Sequence, residues 1–249
     1  MSEQSTWVVG YHAISALLKV SPERCIELWL VINPKNQSQQ AILEQISTLA
    51  ISINPVDKHS LSKRCGYSQH QGIALRVKPR KEGNDKELLK HLKTLHVPAL
   101  VLVLDQVQDP HNFGACLRCA DAAGVHAVVV AKDNASPITP IVQKVASGAA
   151  ETLNIFRVTN LARTLESLKK EAGLWVVGTS DKAVQTIFQH DLSMPLALVM
   201  GAEGRGMRSL TEKSCDSLVK LPMAGQVVTS LNVSVASGIS LYEAVRQRS

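Results

Sequence analysis

The sequence predicts an α/β fold: a mostly parallel sheet with helices on both faces, preceded by a smaller α/β domain. Three observations carry this. From Pro98 onward strand-sized apolar runs alternate with amphipathic helical stretches, a charged Pro- and Gly-containing segment interrupts the chain near residue 80, and 45% of the 249 residues are hydrophobic, enough for a sizeable core. There is no Gly-X-Y period, only 19% of residues are charged and the five cysteines are odd in number, so collagen-like, disordered and disulfide-stapled classes are excluded.

The elements follow in order. An amphipathic helix over residues 11–20 precedes a strand over 26–32, a polar helix over 37–49 and a closing strand over 72–77, so residues 1–78 form a small α/β domain. The segment Lys78-Pro-Arg-Lys-Glu-Gly-Asn-Asp85 has no apolar period, which makes residues 79–97 a linker ending in a short entry helix at 88–95. Residues 98–249 are the larger domain. Its run at 100–104 is continuously apolar, as a strand buried on both faces must be. Helices at 113–123, 138–146 and 161–172 then alternate with strands at 126–131, 155–158, 174–178, 196–200 and 217–221, and a helix over 233–248 closes the chain. Ligands of such sheets bind beyond the carboxyl ends of the strands, so the loops there are where chemistry is expected.

Charge points to a partner. The formal net charge is +6, but residues 1–97 carry 13 basic against 8 acidic side chains, whereas residues 98–249 carry 14 against 13. A polyanion touched mainly by the first domain fits this imbalance, with Lys19, Arg24, Lys35, Lys58, Lys63, Arg64 and Arg76 as contacts. Three Trp, three Tyr and three Phe are too few and too dispersed for a base-stacking platform, so phosphate and shape contacts would dominate. The opening MSEQSTWVVG lacks the basic and apolar regions of a secretory leader and no apolar run is of membrane-spanning length; a cytoplasmic protein with no membrane partner is expected.

Three loops at strand ends share Gly or Pro with hydrogen-bonding side chains: Asp109-Pro-His-Asn-Phe-Gly-Ala-Cys-Leu-Arg118, Gly201-Ala-Glu-Gly-Arg-Gly206, and Leu221-Pro-Met-Ala-Gly-Gln-Val-Val-Thr-Ser-Leu-Asn232. Glycines let main-chain groups approach a ligand, and a helix starting after a loop offers free N–H donors. Each loop alone reads as a turn and helix cap; together they suggest a composed site. G-x-x-G-x-G at 201–206 is not the dinucleotide pattern, no Walker loop is present, and Cys116 with Cys119 lies inside a helix without a second metal-ligating pair, so no metal is expected. Arg118, on the second turn of its helix beside Leu117 and Ala120, is expected half-buried against an anion: Glu203, another structural partner or a substrate phosphate. Glu203 has its own bland reading as an ion pair of Arg205 or Arg208.

These loops resemble, in order and separation, the three motifs of the SpoU or TrmH-like branch of the SPOUT RNA ribose methyltransferases: Asp-Pro-x-Asn-x-Gly-x-x-x-Arg at 109–118, Gly-x-Glu-x-x-Gly at 201–206, and Pro-Met followed by Ser-Leu-Asn at 222–232. Gly10-Tyr-His-Ala-Ile14 and His70-Gln-Gly72 are similar to that family's small substrate-binding domain, which itself resembles the ribosomal-protein L30e-like fold. The likeness is strongest to the type acting on a guanosine 2′-hydroxyl of 23S rRNA. It implies a C-terminal trefoil knot, a homodimer, and S-adenosyl-L-methionine held bent by main-chain groups at Thr179, Gly201, Leu221, Met223 and Leu231. It implies further that Arg118, Asn112, Glu203, Ser230 and Asn232 are the catalytic set, Arg118 meeting the target phosphate. One departure is visible: four residues, Gln226 to Thr229, stand between Gly225 and Ser230 where the pattern has three. A tRNA ribose methyltransferase and a non-catalytic RNA-binding assembly factor are the competing readings.

Overall fold

A computed structural model describes residues 5–249. In chain order the elements are β1 (Thr6–Val9), α1 (Tyr11–Val20), β2 (Cys25–Leu30), α2 (Gln37–Ser47), β3 (Ser52–Pro55), α3 (Lys58–Cys65), β4 (Ile73–Val77), α4 (Asp85–Lys93), β5 (Leu100–Asp105) and α5 (Pro110–Ala122). There follow β6 (Ala127–Ala131), α6 (Pro140–Ala146), α7 (Ala149–Thr152), β7 (Ile155–Val158), α8 (Leu161–Ala172), β8 (Trp175–Thr179), β9 (Leu196–Gly201), α9 (Ser209–Lys213), β10 (Ser217–Val219) and α10 (Val233–Arg248). They form two compact units, one of the chain up to Lys81 with Ile138–Thr152, the other of Glu82–Pro137 with Leu153–Ser249.

The first unit holds a four-stranded sheet of order β1-β4-β2-β3, mixed because β3 runs parallel to β2 while β4 is antiparallel to both β1 and β2. Ala13, Ile14, Leu17 and Leu18 make one face of α1 and join Leu28, Leu30, Ile73 and Leu75 of the sheet, with Ile42 and Ile46 of α2, in one core. The stretches Gly10-Tyr-His-Ala-Ile14 and His70-Gln-Gly72 meet here: Gln71, at φ 56°, accepts the Tyr11 N–H on Oε1 at 3.3 Å. His70 is fully buried. Its Nδ1 accepts the Gly72 N–H at 3.0 Å, which leaves Nε2 to donate to Ser62 Oγ at 3.0 Å, and burial pushes its pKa below the ordinary 6.5.

Two expectations change in this unit. The helix at 138–146 is observed as α6, but it clusters with the first unit and not with the sheet domain. Arg24 is not a free surface cation: its Nη1 lies 2.6 Å from Glu151 Oε2, Arg24 half-buried and Glu151 buried, so its charge is paired internally. Arg76 pairs with Glu27 at 2.8 Å and Arg64 stacks 3.9 Å over the Trp29 ring. Lys19, Lys35, Lys58 and Lys63 are exposed.

The second unit is a six-stranded, wholly parallel sheet of order β10-β8-β9-β5-β6-β7. Val101, Val103, Ala127, Val129, Val176, Ala197 and Val199 face Leu88 and Leu92 of α4 and Leu161, Leu165 and Leu168 of α8. Alternate positions, including Leu102, Leu104, Leu198 and Met200, are buried toward the other face, where α10 packs on β9 and along α5. Helices on both faces are thus observed. The segment expected as a linker is largely part of this unit: Leu88 and Leu92 are core, Asn84 and Glu87 cap α4 reciprocally, and Arg157 grips Glu82 through Nε at 2.7 Å and Nη2 at 3.0 Å. From β10 at the sheet edge the chain returns through residues 220–232 past the loops after β8 and β9 before forming α10.

Candidate active site

Register fixes the site. Pairing of β5 with β9 from Leu100–Leu196 to Asp105–Gly201 ends both strands side by side, so the loops following them emerge together. Asp109 caps α5 by accepting the Asn112 N–H at 2.8 Å, with Pro110 at the first helical position, and Asn232 caps α10 by accepting the Ser234 N–H at 3.0 Å and its hydroxyl at 2.6 Å. The caps bring two amides together: Asn232 Nδ2 donates to Asn112 Oδ1 at 2.9 Å and to Glu203 Oε2 at 3.1 Å, while Asn112 Nδ2 approaches the same Glu203 oxygen at 3.5 Å. Residues from three separated loops thus form one cluster.

Beside it lies a cavity of about 400 Å³. All five expected cofactor residues, Thr179, Gly201, Leu221, Met223 and Leu231, line it, as do Glu203 and Ser230. Its floor depends on Gly201. A Cβ there would sit 2.2 Å from the Gly206 carbonyl carbon and 2.3 Å from the Met207 nitrogen, because the loop folds back with Ala202 and Gly206 exchanging N–H···O bonds at 3.0 and 2.8 Å. The loop bearing the additional residue is exposed from 224 to 230, and its end at Thr229 to Leu231 still reaches the cavity wall.

Arg118 departs from expectation. It is exposed, forms no ion pair among the described residues, and lines no part of the cavity. Buried Phe113, Cys116, Leu117 and Ala120 occupy the inner face of α5, which turns Arg118 outward with His111. The Arg208 half of the ion-pair reading of Glu203 falls, since Arg208 instead binds Asp105: its N–H and its Nε each lie 2.8 Å from one carboxylate oxygen. Fully buried Asp105 was missed by sequence reasoning, although an acid ending the apolar run at 100–104 was the available signal. Cys116 is core: its thiol is 3.5 Å from Ser237 Oγ and burial pushes it up to about 12. Among the described residues no group of three or more His, Cys, Asp or Glu is placed to hold a metal, and no helix is long and apolar enough to cross a membrane.

A smaller cavity of about 260 Å³ adjoins the cluster, lined by residues 106–109 and Asn112 and sharing Ala202, Glu203, Arg205 and Val233 with the first. On the outer face of α10, Val235, Ile239 and Tyr242 are 50%, 37% and 54% exposed and fall on one stripe.

Comparison with known proteins gives this geometry a context. The pattern of the SpoU rRNA Methylase family matches residues 99–242, and that of RNA 2′-O ribose methyltransferase substrate binding matches residues 7–83. The chain is 50% identical over 248 residues to the 23S rRNA (guanosine-2′-O-)-methyltransferase RlmB of Haemophilus influenzae, covering 100% of this chain and 99% of that one. Among solved structures, the SpoU methyltransferase AviRb from Streptomyces viridochromogenes in complex with the cofactor AdoMet superposes with a TM-score of 0.81 at 23% identity, over 98% of this chain and 90% of that one. The TrmH/SpoU tRNA modifying enzyme of A. aeolicus gives 0.55 at 30% identity over 66% of this chain and 84% of its own. The fold, the strand-end loops and these matches together make the chain a member of the SpoU rRNA methylase family, with that family's substrate-binding domain at its amino-terminal side.

Proposed function

We propose that the protein transfers a methyl group from S-adenosylmethionine to the ribose 2′-hydroxyl of a guanosine in 23S rRNA. The observation that carries this is the junction of two cavities at the Asn112–Glu203–Asn232 cluster: one side suits a cofactor, the other an acceptor nucleotide. S-adenosylmethionine fits the first cavity by its chemistry. Met200, Leu221, Met223 and Leu231 offer apolar surface for an adenine ring, and the glycines of the 201–206 loop expose main-chain donors and acceptors. When bound, the sulfonium supplies an electrophilic methyl.

The residues do the rest. Holding two reactants in near-attack geometry contributes roughly 7 to 11 kcal/mol, and the fixed loop bases of the parallel sheet suit that task. Both amides converge on Glu203 Oε2, leaving Oε1 to accept the acceptor hydroxyl's proton, with Ser230 at the cavity rim as a further hydrogen-bonding group. Arg118 serves as a cation for the target phosphate and the developing alkoxide. It lies outside the cavity of its own chain, so we assign the exposed stripe Val235, Ile239 and Tyr242, on the helix packed along α5, to a second copy of the chain; the homodimer brings Arg118 to its task. The C-terminal return past the cofactor loops is threaded as the family's knot. Exposed Lys19, Lys35, Lys58 and Lys63 of the first unit hold the RNA backbone in a cytoplasmic setting.

The presence of the first unit favours rRNA over tRNA, since the tRNA enzyme's likeness covers only two thirds of this chain. Mapping ribose methylation on rRNA from cells with and without the protein tests the reading: one lost guanosine site in 23S rRNA is expected, and an unchanged map would overturn it. Arg118→Ala should lower turnover by roughly a hundredfold or more with calorimetric cofactor binding unchanged. Loss of both together would make its role structural.

A further inference from the structure

The smaller cavity has a wall that the methyl-transfer reading leaves unused. Gln106 and Gln108 line it, and among the described residues neither side-chain amide has a hydrogen-bond partner. Gln106 sits at φ 63°, a conformation natural to glycine and strained for glutamine. Asp109 lines the same wall; its Oδ1 accepts the Asn112 N–H, and Oδ2 accepts nothing among the described residues. The wall therefore offers two amides and one carboxylate oxygen that can only accept.

Resting on the proposed guanosine methylation, we infer that this cavity receives the target base and that Asp109, Gln108 and Gln106 select guanine. Guanine's Watson–Crick edge places two donors, N1–H and the 2-amino group, beside the O6 acceptor. A carboxylate oxygen accepts from those donors, and an amide donates to O6 while accepting from N1–H. Adenine turns an unprotonated N1 toward the carboxylate, two acceptors facing each other with no hydrogen between them. An amide alone can rotate to suit either base, so the acceptor-only group carries the discrimination and the glutamines complete the edge. The cavity adjoins the Asn112–Glu203–Asn232 cluster, so a nucleotide whose base fills it presents its ribose at the cluster, where the first cavity begins. A base taken out of its stack and read on this edge is the usual way proteins recognise single-stranded RNA positions.

The test uses the full chain and an rRNA fragment carrying guanosine, inosine or adenosine at the methylated position, with kcat/KM measured for each. Asp109→Asn keeps a good helix cap while replacing the acceptor-only group, Gln108→Leu removes an amide at similar volume, and Gln106→Gly relieves the strained backbone as it deletes the side chain. The expected result is a guanosine-to-adenosine ratio narrowed by roughly tenfold or more in Asp109→Asn and by less in the glutamine variants, with cofactor affinity retained. Wild-type enzyme should also prefer guanosine to inosine, which lacks the 2-amino donor. Ratios unchanged in all three variants, each still binding cofactor, would overturn the inference while leaving the methylation reading standing. Absence of methylation on every fragment by the wild-type protein would instead sink that reading.

Discussion

The two ends of the six-stranded sheet are built on opposite principles. At the amino end, polar groups are used up within the protein: His126 Nδ1 accepts the Leu100 N–H at 3.0 Å, and Arg248 donates to the carbonyls of Pro98, Ala99, Leu192 and Met194 at 3.3, 3.2, 3.1 and 2.5 Å. At the carboxyl end, the loops leave Glu203 and Arg205 exposed, place Gly204 and Gly206 at φ 74° and 68°, and hold Gln106 at 63°. Both ends belong to the same strands, so the contrast is not one of core stability. One end closes the fold with satisfied hydrogen bonds; the other keeps donors, acceptors and backbone strain for a ligand to engage. Substitutions should therefore separate activity from stability according to the end they touch.

The largest separation is expected at Gly201. Gly201→Ala drives a methyl group into the Gly206–Met207 backbone, and the loop must move away from the cavity. Turnover should fall by roughly a hundredfold or more, since a displacement on the order of 1 Å at a reacting centre has that effect, and calorimetry should show cofactor binding lost with it. Retained cofactor binding in a folded Gly201→Ala protein would mean that the fold-back of residues 202–206 is not what shapes the cavity.

That loop was readable in advance because glycines at a strand end are a local signal. So were the strands and helices with clear apolar periods, such as α8 with Leu161, Thr164, Leu165 and Leu168 buried. Elements without a period were not: β3 is mostly exposed and α3 buries only Leu61 and Cys65. Pairings across long separations were equally hidden. Asp105 with Arg208 and Arg24 with Glu151 span 103 and 127 positions, and no local pattern selects those partners over Glu203 or a phosphate. Arg118 is a different kind of miss. The buried set 113, 116, 117 and 120 already fixes the phase of α5, and following it by 3.6 residues per turn turns position 118 outward whatever its immediate neighbours are.

Breaking the amino end should do the converse. Arg248→Ala removes four hydrogen bonds from a charged donor and leaves carbonyls at the chain's close with fewer partners, an expected loss of about 2 to 4 kcal/mol in unfolding free energy. Denaturant midpoints would report it. At 25 °C the kcat/KM of the folded protein should stay at the wild-type value, because no atom of Arg248 borders either cavity. A fall in kcat/KM without loss of stability would show that the two ends are coupled through the strands.

The smallest effect sharpens the same contrast through pH. Burial holds His126 below its ordinary pKa of 6.5, and nearby Arg248 and His91 push it the same way. Its Nδ1 accepts the Leu100 N–H, so protonation there costs that bond. Below about pH 6.5 the unfolded chain therefore binds a proton that the folded chain refuses, so stability is complete above that pH and declines as the pH falls toward the lowered folded value. His70 in the first unit acts with the same sign, so the wild-type decline is not the work of His126 alone. His126→Asn keeps an acceptor for Leu100 and cannot titrate, so its melting temperature should drop less between pH 7.5 and pH 5.5 than that of the wild type, by roughly a few degrees. An identical drop in both proteins would place the acid sensitivity outside His126, and with it outside the amino end of the sheet.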